Sequence, residues 1–191
     1  MTLLHGVSGS GKTTLLNIMS GLLKPASGTV FVEGSDIYSL STSERDDIRL
    51  NRIGMIFQEH SLIVDFTVRE NVELILRVRG FGSRSRVMAI EALERVGIAH
   101  LQDRYPRQLS GGEAQRVGIA RAIAGDRPIL LADEPTGQLD RRNSQMVFEL
   151  LRALAEDEKG RTVVLSSHDP TAKEYAHRSC ELVDGHLEDS C

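Results

Sequence analysis

The sequence lacks a surplus of positive charge. Its 23 lysines and arginines are outnumbered by 27 acidic residues, which gives a net charge of −4. A surface that binds nucleic acid electrostatically needs a basic stripe. The small clusters Arg77–Arg79 and Arg84–Arg86 are instead expected to form a solvated helix face. We therefore predict no nucleic-acid partner.

Cysteines and long apolar runs are also scarce. Cys180 and Cys191 lie in no spacing typical of a metal site or a redox pair, so we expect two thiols in a reducing compartment. No apolar run approaches the roughly 20 residues that span a bilayer. Residues 1–5 also lack the charged and apolar regions of a signal peptide. These absences predict a cytoplasmic protein that reaches a membrane only through a partner.

The sequence does contain an alternation of short apolar strands and helical patterns over 191 residues, of which 40% are hydrophobic. This alternation predicts an α/β fold with a mainly parallel sheet flanked by helices. Strand signals disappear between residues 61 and 125, where the pattern is helical. We therefore expect a single domain, 1–191, with a core formed by 1–60 and 126–191 and an inserted helical subdomain at 61–125.

Local patterns predict the individual elements. Capping boxes, in which Ser or Thr is followed three residues later by Glu, predict helices that start after Ser41, Thr67 and Ser110. The other expected elements are strands at 29–32, 53–57, 129–132 and 162–165, helices over 15–23, around the apolar positions 87, 90, 93 and 96, and over 146–154, and a hairpin over 180–187.

A glycine-rich loop follows the apolar pair Leu3–Leu4 and leads into a helical pattern. Small residues between a strand and a helix let backbone N–H groups surround an anion at the helix N-terminus. Lys12 can reach the β- and γ-phosphates of a nucleoside triphosphate, and the Thr13 hydroxyl suits Mg²⁺. The predicted phosphate-binding residues are Gly6, Val7, Ser8, Gly9, Ser10, Gly11, Lys12, Thr13 and Thr14. This motif alone does not separate kinases, GTPases, helicases and transport ATPases.

Polar residues follow three other predicted strands, and open parallel sheets bind ligands at the carboxyl ends of their strands. Asp133 is expected to hold Mg²⁺ together with Thr13. Glu134, the next residue, is expected to act as the base that activates water. Gln58 and His168 follow two further predicted strands, whose carboxyl ends are expected at the same edge of the sheet. His168 would stabilise charge on the γ-phosphate during transfer.

A second candidate anion site lies at Leu109–Arg116, where Ser110 precedes Gly111 and Gly112 at a predicted helix start. A Ser N-cap followed by two glycines leaves N–H donors open, whereas a plain helix cap would need no glycine pair. One chain needs only one such site for its own nucleotide. We therefore expect the second site to bind the nucleotide of a neighbouring chain in a symmetric dimer.

The order and separations of these motifs resemble those of the nucleotide-binding domain of an ATP-binding cassette (ABC) transporter, over nearly the whole chain. The motifs are the phosphate loop, Gln58, the segment 109–115, the strand 129–134, the segment 137–140 and His168. The amino-acid sequences of three segments, Asn17–Gly21, Phe57–Glu59 and Leu131–Gly137, are most similar to those of the bacterial lipoprotein-release and macrolide-export branch.

The resemblance implies a P-loop NTPase fold and an ATPase that uses ATP and Mg²⁺ and drives transport by ATP-dependent dimerisation. Its partners would be a second ABC ATPase chain, identical or not, and integral membrane permease subunits at the inner face of the cell membrane. Gln58 would contact Mg²⁺ and sense the γ-phosphate, while Lys12, Glu134 and His168 would act in catalysis. The residues implied to contact ATP on the opposite chain are Ser110, Gly111, Gly112, Gln115 and Asp140.

The sequence departs from the family at its beginning. Family members carry an antiparallel β region with an aromatic residue that stacks on adenine, whereas no aromatic residue precedes Gly6. That β region is therefore expected to be largely missing. Two alternatives remain open: a soluble ABC ATPase of DNA repair or translation, and a truncated, binding-only remnant. The first usually has a long coiled-coil insertion or two cassettes in tandem, and this sequence has neither.

Overall fold

The computed structural model describes residues 1–189 and contains a six-stranded sheet and a separate two-stranded sheet. The strands are β1 (Thr2–His5), β2 (Phe31–Val32), β3 (Ser35–Asp36), β4 (Ile53–Ile56), β5 (Ile129–Asp133), β6 (Thr162–Ser166), β7 (Arg178–Val183) and β8 (His186–Asp189). The large sheet has the order β4-β5-β6-β1-β7-β8, and its neighbours are parallel except for the pair β7 and β8. The carboxyl ends of β1, β4, β5 and β6 therefore lie along one edge.

Helices flank this sheet: α1 (Lys12–Met19), α2 (Thr42–Arg52), α3 (Val68–Val78), α4 (Ser85–Arg95), α5 (Gly111–Ile123) and α6 (Arg141–Glu156). In the described chain, α3, α4 and α5 follow one another between β4 and β5 without an intervening strand. The three predicted capping boxes are confirmed, at Ser41, Thr67 and Ser110. Within residues 1–189, no helix is long and apolar enough to cross a membrane.

The middle of the sheet is buried on both faces, as the neighbours of β5 show. Leu130 and Ala132 belong to a large apolar cluster with residues of α3 to α6, whereas Leu131 joins Leu16 of α1 and Ile53 of β4 in a smaller cluster. A strand that is covered on both sides needs apolar residues at successive positions. The continuous apolar run before Asp133 follows from this arrangement.

Some predicted boundaries are wrong. α1 starts at Lys12 rather than at residue 15, and it ends at Met19, so Leu22 and Leu23 lie beyond it and are about half exposed. The strand expected at 29–32 is reduced to Phe31–Val32, because it pairs only with the equally short β3. α6 starts at Arg141 rather than at residue 146.

The early start of α6 has a local cause: the Asp140 side chain accepts a hydrogen bond from the backbone N of Asn143 and so caps the helix. The hairpin expected over 180–187 is confirmed as β7 and β8. Cys180 lies in β7, whereas Cys191 lies outside the described residues.

The exposure of two side chains also differs from the sequence pattern. Val87, one of the four apolar positions that predict α4, is 58% exposed, whereas Leu93 and Val96 of the same pattern are buried, together with Ala89. Arg79, expected on a solvated face, donates to Oδ1 of Asn51 (3.1 Å) and to the carbonyl O of Ala124 (2.7 Å). Burial lowers the pKa of this guanidinium below its usual value. Arg79 therefore joins the end of α3 to α2 and α5.

Candidate active site

Four strand ends of the large sheet open on one cleft of about 560 Å³. The segments that meet there are the loop after β1, the exit of β4, the exit of β5 and the exit of β6. The cleft is lined by Ser8, Gly9, Gly11, Lys12, Thr13, Thr14, Gln58, Glu134 and His168. The structure thus brings together the predicted phosphate loop and the predicted polar residues at three other strand ends.

The loop after β1 enters α1 without a side-chain cap. Gly11, the N-cap residue, has φ 103°, a left-handed conformation that residues with a Cβ rarely adopt. The first N–H groups of α1 therefore receive no side-chain hydrogen bond from the N-cap and carry the partial positive charge of a helix N-terminus. Lys12 is buried, and its Nζ donates to the carbonyl O of Gly6 (2.9 Å) and of Val7 (3.1 Å). Both features make this part of the cleft electropositive.

Asp133 accepts two hydroxyl hydrogen bonds on one oxygen. Thr13 Oγ1 donates to Oδ1 over 3.1 Å, and Ser166 Oγ donates to the same atom over 2.7 Å. Mg²⁺ prefers oxygen ligands, and in nucleotide sites it takes one or two carboxylates together with phosphate oxygens. A hydroxyl beside a single carboxylate fits that requirement. Groups of three or more His, Cys, Asp or Glu able to hold a metal are absent from residues 1–189.

Glu134 lies between Lys12 and His168. Its Oε1 is 3.7 Å from Lys12 Nζ, and its Oε2 is 2.8 Å from His168 Nδ1. The backbone N of His168 also donates to Oε2, over 3.3 Å. If the carboxylate is ionised it only accepts hydrogen bonds, and Nδ1 is then the donor in this contact. The carboxylate is thus oriented by two donors while it still lines the cleft, where it can accept a proton from water.

Gln58 is exposed at the end of β4 and packs against the backbone of Gly137, where a Cβ would lie only 2.9 Å from Gln58 Nε2. The residues after Gln58 contact α5: Arg121 donates to the carbonyl O of His60 (2.8 Å) and of Ser61 (2.6 Å). His60 and Ser61 both have positive φ, 52° and 48°. Such backbone conformations persist where their surroundings enforce them. Arg121 therefore ties the Gln58 loop to α5.

Gly6, Val7 and Ser10 of the predicted phosphate loop are not part of the cleft lining. The contacts predicted for ATP on the opposite chain also lie outside it; they are Ser110, Gly111, Gly112, Gln115 and Asp140. A Cβ on Gly111 would lie 3.4 Å from Leu139 Cδ2, so the N-termini of α5 and α6 are adjacent. Asp140 accepts from the backbone N (2.9 Å) and Nδ2 (2.7 Å) of Asn143, and these bonds hold its pKa below the usual value. The chain thus presents a second cluster of helix N-termini outside the lining of the cleft.

Two expectations about this second cluster need correction. A Cβ on Gly112 would lie 2.4 Å from Asn143 Oδ1, so packing against α6 requires this glycine whether or not an anion binds. The glycine pair is therefore not by itself a sign of a ligand. Gln115 is fully buried, and its Oε1 hydrogen-bonds with His60 Nδ1. Its side chain lies inside the protein rather than at the exposed start of α5.

Sequence patterns missed Ser166, which is fully buried at the end of β6. It contacts Asp133 and also accepts from the backbone N of Glu134 over 3.0 Å. A hydroxyl at the last position of an apolar strand was the available signal. Its meaning depends on the parallel register that places Ser166 beside Asp133, which the sequence does not display.

Comparison with known proteins decides the family. The sequence profile of the ABC transporter family matches residues 1–137, more than half of the chain. The chain belongs to the ABC transporter family. This ABC protein is 45% identical over 183 residues to the lipoprotein-releasing system ATP-binding protein LolD of Blochmanniella floridana. The aligned region covers 95% of this chain and 77% of LolD. It is also 42% identical to the macrolide export ATP-binding/permease protein MacB 1/2 of Paracoccus denitrificans. That alignment covers 95% of this chain and 27% of MacB.

A solved structure extends this similarity to the fold of the ABC protein. The dimeric ATP-binding cassette MJ0796 of Methanocaldococcus jannaschii, in a post-hydrolysis state with ADP and Pi, matches with a TM-score of 0.88 at 38% identity, over 99% of this chain and 84% of that one. The predicted α/β P-loop fold, the family and its branch are confirmed. The predicted function, that of an ATP-binding and ATP-hydrolysing subunit of a transporter, is confirmed as well.

Proposed function

We propose that this ABC protein hydrolyses ATP in the cleft with Glu134 as the general base, and that two chains close on two ATP molecules to drive transport. The observation that carries the proposal is the position of Glu134, which lies between Lys12 and His168 and lines the same cleft as the phosphate loop. A carboxylate held by two donors beside a phosphate site suits water activation.

The phosphate loop, Gly6 to Thr14, supplies binding. The open N-terminus of α1 and Lys12 attract the phosphates, and Lys12 exchanges its loop carbonyls for phosphate oxygens. Thr13, Asp133 and Gln58 would hold Mg²⁺, and the ion would neutralise charge on the phosphates.

Glu134 and His168 supply the chemistry. Glu134 accepts a proton from the attacking water, and the Nδ1 proton of His168 orients that carboxylate. A contact from the same ring that stabilises charge on the γ-phosphate would need a second N–H, at Nε2, which only the doubly protonated imidazole has. Glu134 and His168 are therefore proposed as catalytic residues, together with Lys12.

The second cluster of helix N-termini completes the site of a neighbouring chain. Ser110, Gly111 and Gly112 at the start of α5, and Asp140 at the start of α6, are adjacent to one another and lie outside the cleft lining. A twofold dimer would place this cluster over the partner's nucleotide, so that each chain contributes one half of each site. The dimeric state of the matched MJ0796 structure supports this arrangement. Because Gln115 is buried against His60, it would position α5 rather than contact ATP.

Coupling to membrane permease subunits would use residues 61–125 as a helical subdomain that moves relative to the core. Arg121 of α5 holds the backbone after Gln58, so the Gln58 loop and the subdomain would move together when Gln58 meets Mg²⁺. A cavity of about 520 Å³ beside this loop, lined in part by Phe57, Ser61 and Arg121, offers a membrane subunit a contact surface. The chain would then lie on the inner face of the membrane.

The test uses the Glu134→Gln variant, in which ATP binds but the base is lost. We expect this variant to double in mass by light scattering with ATP and Mg²⁺, and the double variant Lys12→Ala, Glu134→Gln to stay a single chain. Wild-type ATPase activity should exceed that of Glu134→Gln by about 100-fold or more, the usual contribution of a general base. A single variant that stays monomeric with ATP, Mg²⁺ and its partner subunits would rule out the dimer mechanism.

The same samples separate the alternatives. Wild-type activity no higher than that of Glu134→Gln would support a binding-only remnant. Purification with ribosomes or DNA, in place of an integral membrane protein, would support a soluble ABC ATPase of translation or DNA repair.

A further inference from the structure

Ser166 joins the two acidic residues of the cleft. Its hydroxyl donates to Asp133 Oδ1 over 2.7 Å and accepts from the backbone N of Glu134 over 3.0 Å. A hydroxyl has one proton to donate and lone pairs to accept with, so both capacities are used. The side chain is 0% exposed, which leaves it little freedom to turn away from either partner.

The backbone at Glu134 needs this support. Glu134 has φ 46°, a left-handed conformation that is costly for a residue with a Cβ and persists only where neighbouring groups enforce it. Its backbone N donates both to the hydroxyl and to the carbonyl O of Ser166, the latter over 3.1 Å. The turn that carries Glu134 into the cleft therefore depends on Ser166 twice.

The oxygen of Asp133 that accepts from Ser166 also accepts from Thr13. If the Thr13 hydroxyl becomes a ligand of Mg²⁺, as the proposed function requires, Ser166 is the donor that remains on Oδ1. A carboxylate that is fixed by a neighbouring hydrogen bond binds a metal more tightly than one that is free to rotate, typically by 10- to 100-fold.

We propose that the Ser166 hydroxyl is a positioning group that orients the Asp133 carboxylate for Mg²⁺ and fixes the turn at Glu134. This role rests on the proposed function of the cleft. The neighbouring serine shows that position, rather than residue type, creates it. Ser167 is also buried, but its hydroxyl accepts from the backbone N of Asp169 over 3.1 Å and contacts neither carboxylate.

The test compares Ser166→Thr with Ser166→Val. Thr and Val have nearly the same shape, so the added bulk is equal and only the hydroxyl differs. In the Glu134→Gln background, which binds ATP without turnover, we measure ATP affinity at increasing Mg²⁺ by equilibrium titration. The Mg²⁺ concentration at half-effect should stay near that of the parent in Ser166→Thr and rise about 10-fold in Ser166→Val. Affinity for ATP in EDTA should be the same in both.

Two further comparisons make the result decisive. Ser167→Ala should leave the Mg²⁺ dependence unchanged. If Val is not accommodated and the variant melts early, Ser166→Ala against Ser167→Ala gives the same contrast without added bulk. Equal Mg²⁺ dependence in the Thr and Val variants, or in the two Ala variants, would overturn the proposed role of Ser166 but would leave the proposed metal site standing. A parent chain whose ATP affinity does not respond to Mg²⁺ would overturn both this role and the proposed metal site.

Discussion

The two helix N-termini that the sequence predicts as anion sites, those of α1 and α5, are built differently. α1 begins after Gly11 with no side-chain cap, and Lys12 follows directly. α5 begins after Ser110, whose backbone N and hydroxyl both donate to Glu113 Oε2, each over 2.7 Å. The start of α5 therefore already holds a carboxylate where the helix dipole favours negative charge.

This difference shows that glycine content alone does not identify an anion site. The N-terminus of α1 leaves its donors for a ligand, and a buried ammonium lies beside it. At the N-terminus of α5 the capping box occupies the backbone N of Ser110 and of Glu113, and one of the two glycines after Ser110 packs against Asn143. The first is a site within one chain, whereas the second is stable alone and would contribute only when another chain brings the nucleotide.

The largest effect should come from removing the cation at α1. Lys12→Ala should weaken ATP binding by about 100-fold, because two hydrogen bonds from a charged donor to the phosphates contribute about 1.5 kcal/mol each. Ser110→Ala, at the other N-terminus, should leave ATP binding to the isolated chain unchanged. Fluorescence titration at chain concentrations below dimerisation measures both. Equal losses in the two variants would mean that the two N-termini are equivalent.

The capping boxes and strand ends show what the sequence could predict. Ser110 and Glu113 lie close in sequence, so their hydrogen bonds follow from local spacing. Likewise, an apolar strand that ends in Asp133 and Glu134 indicates a site at the sheet edge once a phosphate loop is present. These features depend on a few neighbouring residues.

Features that depend on distant contacts were not predictable in this way. Ser166 meets Asp133 only through the register of β5 and β6. Gly112 meets Asn143, and Gln115 meets His60, only through the packing of α5 against α6 and the Gln58 loop. The start of α6 is an exception, because the cap that sets it, from Asp140 to the backbone N of Asn143, is local in sequence.

A medium effect should separate the two glycines of α5. Gly112→Ala should lower the free energy of unfolding by about 1–3 kcal/mol, the cost of overpacking, because the new Cβ would lie 2.4 Å from Asn143 Oδ1. Gly111→Ala should be neutral or slightly stabilising, since its Cβ would meet only the flexible end of Leu139 at 3.4 Å. Urea denaturation measures both. Adding Asn143→Ala should recover much of the loss in Gly112→Ala. A loss of the same size in Gly111→Ala would show that the constraint on Gly112 is not packing.

The smallest effect concerns Glu113, the carboxylate in the first turn of α5, which has no counterpart in the first turn of α1. Hydrogen bonds from the backbone N and then the hydroxyl of Ser110 hold the pKa of Glu113 below its usual value. A lowered folded-state pKa contributes stability that is complete above the unfolded pKa, about 4.3, and is lost as the pH falls through the folded pKa. Glu113→Gln keeps an acceptor but no charge, so wild type should exceed it by up to about 1 kcal/mol at pH 7 and by less toward pH 3. Chemical denaturation across this range measures the difference. A difference that stayed constant with pH would mean that the charge of the Glu113 carboxylate does not stabilise the start of α5.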